Sequence, residues 1–253
     1  MTADVLRCRV AATLRFGMCC ALILAGASGC SRLGATERVN VFAAASLDPV
    51  MDEIEQEYEA ANPDVDVVVN LAGSSILAAQ ILAGADAAVF ASANITQMNL
   101  VRDGLGLGPA TVFATNALVI VVASENPLGL TGLDDLARPD LVVALAAPEV
   151  PAGAYAAEML RRAGVTAAAS TLELDVRAVV TRVALGEADA GVAYLTDVIG
   201  RADVGYVSVA DDYQVLVEYP VIAIDEEAGG PVVEMLTSAA GRRALSDAGF
   251  GVP

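Results

Sequence analysis

Val39-Asn40-Val41-Phe42-Ala43-Ala44-Ala45-Ser46-Leu47 runs without a break into Asp48-Pro49-Val50-Met51-Asp52-Glu53-Ile54. The first stretch is a short apolar run that ends in small residues and a serine. The second places Val50, Ile54 and Tyr58 at helical spacing with acids between them, so it reads as an amphipathic helix over residues 48–60. A strand that delivers a small polar residue straight to a helix start is a βα unit. Its junction exposes unpaired amides at the positive end of the helix dipole, a seat suited to an anion.

The same grammar recurs outward from this point. A second strand over 65–71 leads through Ala72-Gly73-Ser74-Ser75 into a helix over 76–83, closed by Gly84; a third strand, 87–91, stops at Ser92. Further on, strands over 118–123 and 141–146 precede Pro148-Glu149-Val150-Pro151-Ala152-Gly153 and a helix over 154–163. Asp175-Val176-Arg177 opens a helix through Leu185 that Gly186 stops. Strands over 190–194 and 205–209, a long return over 215–224 containing Pro220, and one final helix over 231–247 complete the chain. Alternation of this kind indicates mostly parallel sheets flanked by helices. Two groups of similar size point to an α/β protein of two lobes with a ligand cleft between them. Residues 39–116 plus 219–253 form lobe 1 and 117–218 form lobe 2. Crossings are expected near Thr115–Leu118 and Val217–Val221, where Pro220 suits a crossing or an edge better than a sheet centre.

Ahead of the first strand, Arg7, Arg9 and Arg15 precede an apolar stretch over 18–27 and then Ala27-Ser28-Gly29-Cys30. A basic start, an apolar core too short for an ordinary membrane span and small residues before a cut describe a signal peptide over 1–29. The triplet ending in Cys30 resembles the lipobox of bacterial lipoproteins, which implies a lipid on Cys30, with residues 30–38 as a tether. Cys8, Cys19 and Cys20 fall in the leader, so no cysteine remains for a disulfide in the exported domain.

Composition narrows the chemistry. The chain has 253 residues, is 56% hydrophobic with 4% aromatics and no Trp, and carries a net charge of −18 from 14 basic and 32 acidic residues. Every basic residue is Arg; there is no Lys and no His. Clustered positive charge for nucleic acid is missing. So are the Ser–His triad, the Schiff-base or P-loop lysine and the His-ligated metal. Carboxylate chemistry stays open, but Asp134-Asp135 and Asp211-Asp212 read as solvated loop residues. The acids of 52–59 read as the wet face of their helix.

Four junctions could converge on a small anion: Ser46, Ser74-Ser75, Ala152-Gly153 and Val176-Arg177. In open α/β sheets, ligands sit beyond the carboxyl ends of the strands. Each junction also has a plain structural meaning. Ser46 and Ser74 are serviceable N-caps, Pro151-Ala152-Gly153 is a turn into a helix, Val176 is a core residue, and Arg177 is a surface or salt-bridge residue. Tyr194 is a strand aromatic with a satisfied hydroxyl.

Six segments in register resemble the periplasmic molybdate-binding proteins of ABC transporters. They are Phe42-Ala43-Ala44-Ala45-Ser46-Leu47, Leu71-Ala72-Gly73-Ser74-Ser75 with Leu77-Ala78-Ala79-Gln80-Ile81, and Val89-Phe90-Ala91-Ser92-Ala93. Pro148 to Ala156, Asp175-Val176-Arg177 and Gly191-Val192-Ala193-Tyr194-x-x-Asp197 complete the set. The resemblance covers residues 39–252. Asn94 stands where the family often has Asp, and Leu174 where it is commonly polar. The resemblance implies the periplasmic-binding-protein fold, no enzymatic activity and no cofactor. It implies ligand contacts at Ser46, Ser74, Ala152, Val176 and Tyr194, which meet molybdenum through the oxygens of molybdate. It further implies tungstate as a second ligand, ABC permease subunits as partners, a lipid-anchored monomer outside the cytoplasm and no nucleic-acid partner. Sulfate or another tetrahedral oxyanion is the nearest rival ligand. A carboxylate-dependent hydrolase, or a sensor or adhesin on the same fold, are rivals of other classes.

Overall fold

The computed structural model describes residues 37–253, so the expected leader 1–29, Cys30 and most of the tether lie outside the described residues. In chain order the elements are β1 (Glu37–Ala44), α1 (Asp48–Ala61), β2 (Val65–Ala72), α2 (Ser74–Leu82), β3 (Val89–Ala91), α3 (Ile95–Leu105) and β4 (Thr111–Asn116). Then come β5 (Leu118–Ala123), β6 (Val143–Ala146), α4 (Pro151–Ala163), β7 (Ala169–Glu173), α5 (Val176–Ala184), β8 (Ala190–Tyr194) and β9 (Val204–Ser208). The chain closes with β10 (Val217–Ala223), α6 (Glu226–Thr237) and α7 (Ala239–Asp247).

Two five-stranded sheets result, ordered β2-β1-β3-β10-β4 and β7-β6-β8-β5-β9. In each, the fourth strand opposes its neighbours: β10 is antiparallel to β3 and β4, and β5 to β8 and β9. The pairings of β1 with β2 and β3, and of β6 with β7 and β8, are parallel. The reversed strand is in both sheets the one that arrives from the other lobe. The mostly parallel, two-lobed α/β architecture expected from the βα alternation is therefore the one observed.

Three boundaries differ from the sequence reading. Glu37 and Arg38, placed in the tether, already pair with Val65 and Asp66 in the sheet, and Arg38 adds an ion pair to Asp66 at 3.2 Å. At the other end, Val217 pairs with Asn116 of β4, so the second passage between sheets is complete before β10 begins. Pro220 thus lies in an interior strand, not at a crossing or an edge. It is tolerated because the register slips between Tyr219 and Pro220, a bulge in which the missing N–H is not needed. Its carbonyl still accepts the Ser92 N–H at 2.9 Å. The final helix is two helices. Ser238 breaks it, and its Oγ accepts the amides of Ala240 and Gly241 at 3.1 and 3.3 Å to start α7.

β1 is buried on both faces, as parallel strands under helices must be. Val39, Val41 and Ala43 pack in one cluster with Val50, Met51 and Ile54 of α1. Phe42 joins Leu77 and Ile81 of α2 and Met98 and Val101 of α3 in another. Each such side chain contributes about 1.5–3 kcal/mol on burial, which anchors the strand ends where the junctions lie. Among the described residues no helix is long and apolar enough to cross a membrane.

Candidate functional site between the two sheets

The carboxyl ends of β1, β2, β6, β7 and β8 face one another across the two sheets. Ser46, Ser74, Ala152, Val176 and Tyr194 all line a single cavity there. All five are buried, from 1% exposure at Ser74 to 4% at Val176.

Neither serine caps its own helix. Ser46 lies in a short 3-10 turn, Ala45–Leu47, and the cap position of α1 is Leu47 with no side-chain bond. Its Oγ instead meets Tyr219 Oη at 2.9 Å. Ser74 is the first residue of α2, with Gly73 in the cap position. Ser74 Oγ accepts the Ala93 N–H at 3.0 Å, and this bond does not use its own proton.

α4 begins at Pro151, three residues earlier than the spacing predicts, which puts Ala152 and Gly153 in its first turn. Pro151 has no N–H, so the amides of Ala152 and Gly153 are the first that the helix offers. Gly153 is required by close approach: a Cβ there would lie 2.1 Å from the Ala147 carbonyl oxygen and 2.4 Å from that of Ala146. Asp175 caps α5 by accepting the Ala178 N–H at 2.8 Å, and Val176 is the first helical residue. The side chain of Val176 belongs to the core.

Tyr194 departs from its plain reading. Its hydroxyl is buried and has no hydrogen-bond partner, a condition it shares among the described residues with Thr171 Oγ1 alone. Burial pushes its pKa well above the usual tyrosine value, helped by Tyr219, Tyr155 and Asp197, so the group stays a neutral donor. A buried hydroxyl without a partner costs about 1–3 kcal/mol.

The two lobes touch around this cavity. Arg177 of α5 pairs with Asp48 of α1 at 3.1 Å. Asn116 at the end of β4 donates to Thr196 Oγ1, just beyond β8, at 2.8 Å. Gly73 lies so near the Leu174 carbonyl oxygen that a Cβ would sit 2.6 Å from it. The cavity between them measures about 10 Å³, close to the room one water needs.

Among the described residues no cationic side chain lines the cavity, and the single carboxylate there is that of Asp175, with one oxygen committed to capping α5. Asp197, three residues beyond Tyr194, receives the Tyr194 N–H at 3.2 Å. Burial pushes its pKa up to about 7, against the lowering effect of that amide and of the Arg177 charge. Among the described residues no group of three carboxylate or cysteine side chains is placed to hold a bare metal ion. What the arrangement offers is hydroxyl protons and helix-start amides, all neutral, aimed at one small volume. Neutral donors of this kind suit an oxyanion.

Residues 39–251 match the bacterial extracellular solute-binding protein family. The chain belongs to that family. This solute-binding protein is 37% identical over 256 residues to the molybdate-binding protein ModA of Mycobacterium tuberculosis strain H37Rv, spanning 95% of the chain and 98% of ModA. The periplasmic molybdate-binding protein of Azotobacter vinelandii superposes with a TM-score of 0.71 at 18% identity, covering 85% and 99% of the two chains. The sulfate-binding protein SubI of M. tuberculosis superposes with a TM-score of 0.72 at 14% identity, covering 85% and 86%. The last two likenesses speak to fold alone.

Two residues beside the cavity carried no signal in the sequence reading, Tyr219 and Asn116. Tyr219 lies 173 positions from Ser46, in a strand whose only unusual mark is the following proline. Gly73 and Asp175 also line the cavity, within two of the segments that carry the resemblance.

Proposed function

We propose that the protein is an extracytoplasmic receptor that closes its two lobes around molybdate, takes tungstate in the same way, and delivers the anion to the transmembrane subunits of an ABC permease. The observation that carries this reading is the buried, unpartnered Tyr194 hydroxyl, which faces the same cavity as Ser46, Ser74 and the starts of α2, α4 and α5. A solute that presents only acceptor oxygens would satisfy these donors at once. Each charge-assisted bond contributes about 1.5–3 kcal/mol, and neutral donors leave no buried cation to hold the anion against release. The ModA relatives named above support molybdate as the solute. The ligand contacts are Ser46, Ser74, Ala152, Val176 and Tyr194, with the last two helix starts acting through backbone amides. Lipid attachment at Cys30 and a monomeric state complete the proposal.

Titration calorimetry of the purified protein with molybdate, tungstate, sulfate and phosphate tests it. Saturable binding of molybdate and tungstate, with sulfate and phosphate weaker in competition, is the expected result. Phosphate belongs in the set because Asp175 could accept a proton from a protonated oxyanion. No binding of molybdate or tungstate at millimolar concentration would sink the reading.

A further inference from the structure

We propose that Tyr219 and Asn116 form a relay that turns the Ser46 hydroxyl proton into the cavity, and so govern anion affinity without touching the anion. The inference rests on the oxyanion reading above and concerns how one of its donors is aimed.

Ser46 Oγ and Tyr219 Oη are 2.9 Å apart, and either oxygen could donate to the other. The choice matters. If Ser46 donates to Tyr219, it turns lone pairs toward an incoming anion and repels it; if Tyr219 donates, the Ser46 proton is free for the anion. Asn116 settles the direction. Its Oδ1 accepts the Ala117 N–H at 2.9 Å, which fixes the opposite end of the amide as the NH2 group. That group donates to Thr196 Oγ1 at 2.8 Å and to Tyr219 Oη at 3.3 Å. Tyr219 Oη accepts that bond, and since an NH2 group cannot accept, Ser46 Oγ is the one acceptor among the described residues within reach of the Tyr219 proton.

Tyr219 is held where the relay needs it. The residue is fully buried, and its ring stacks edge-on with Tyr194 at 5.9 Å and with Phe250 at 5.2 Å. Burial, with the Asp197 charge adding to it, raises its pKa far above the tyrosine value, so the proton is not lost. The relay also draws on both lobes, since Asn116 ends β4 and Thr196 follows β8. Hydrogen bonds in such a chain polarise one another, so the aimed hydroxyl becomes a better donor than an isolated serine.

A double-mutant cycle on molybdate affinity tests the relay, using wild type, Ser46→Ala, Tyr219→Phe and the double variant, with thermal unfolding run on each. Each single variant is expected to bind about tenfold or more weakly. The double variant should be no weaker than Ser46→Ala, because Tyr219 acts only through that hydroxyl. Asn116→Ala carries the same cycle as a second arm and covers the case in which Tyr219→Phe does not fold: a smaller loss, again absent once Ser46 is Ala. Losses that add in the double variants would overturn the relay, because they would assign Tyr219 and Asn116 a general structural role. If wild type binds none of molybdate, tungstate, sulfate or phosphate, the oxyanion reading falls and the relay falls with it.

Discussion

Replacing Tyr194 by Phe removes one oxygen and leaves the ring, its edge-on contact with Tyr219 and its place at the end of β8. In the closed arrangement that oxygen is a buried donor that lacks a protein partner. Its removal should stabilise the empty closed form, by about 1 kcal/mol at the low end of the cost of such a group. For a domain of this length that sets an upper limit of about 2–4 °C on the rise in Tm without ligand. With molybdate present the sign reverses. The variant forfeits a charge-assisted bond of about 1.5–3 kcal/mol, which weakens affinity about 10- to 150-fold. The unfolding midpoint without ligand and the calorimetric Kd therefore move in opposite senses of benefit. An unchanged Kd together with a lowered Tm would refute the reasoning, because it would show the hydroxyl serving the fold and not the anion.

Gly73→Ala places a methyl carbon 2.6 Å from the Leu174 carbonyl oxygen of the facing lobe. Affinity should drop at least tenfold, since closure costs more, while Tm without ligand stays within about 2 °C because the lobes can part. A Tm loss as large as the affinity loss would count against it. Asp197 retains its proton in the folded protein up to a pKa of about 7, where the unfolded chain has lost it above about 4. Its contribution to stability therefore declines as pH rises across that window, by about 1.4 kcal/mol per unit, and levels off above pH 7. Asp197→Asn can still accept the Tyr194 N–H and should remove this component from the pH profile of Tm. Superimposable wild-type and variant profiles between pH 4 and 7 would contradict it.

The alternation of strand and helix was legible because each strand is a short apolar run and each helix carries a stripe, as at Val39–Ala45 followed by Val50 and Ile54. β7 was not. Ala169–Glu173 is half-exposed along its length and is held by its pairing with β6, so it has no apolar pattern of its own to announce it. α3 escaped notice because its start depends on Asn94, whose side chain accepts the Gln97 N–H at 2.9 Å behind a run that reads as loop. The junction residues were legible as a set, since small residues before helices are a local signal, and the structure gathers them at one cavity. How the serines are used was not legible. A capping bond is local, whereas Ser46 spends its oxygen on Tyr219 and Ser74 on the Ala93 amide, partners that only tertiary contact supplies. Even the wet helix face was partly misread: Glu59 turns back to accept the Val67 N–H at 2.8 Å on edge strand β2.

The amides at the starts of α2, α4 and α5 belong to the main chain, and this has a consequence for how the site is inherited. Ala152 is already alanine, and the side chain of Val176 is apolar. If the proposed contacts hold the anion, a substitution scan would register three hydroxyl-bearing residues and stay blind to the rest of the grip. That remainder is stored as the positions at which three helices begin. It persists through any drift in side chains that leaves those starting points in place, and it would vanish on the insertion of a single residue before Pro151 or Val176.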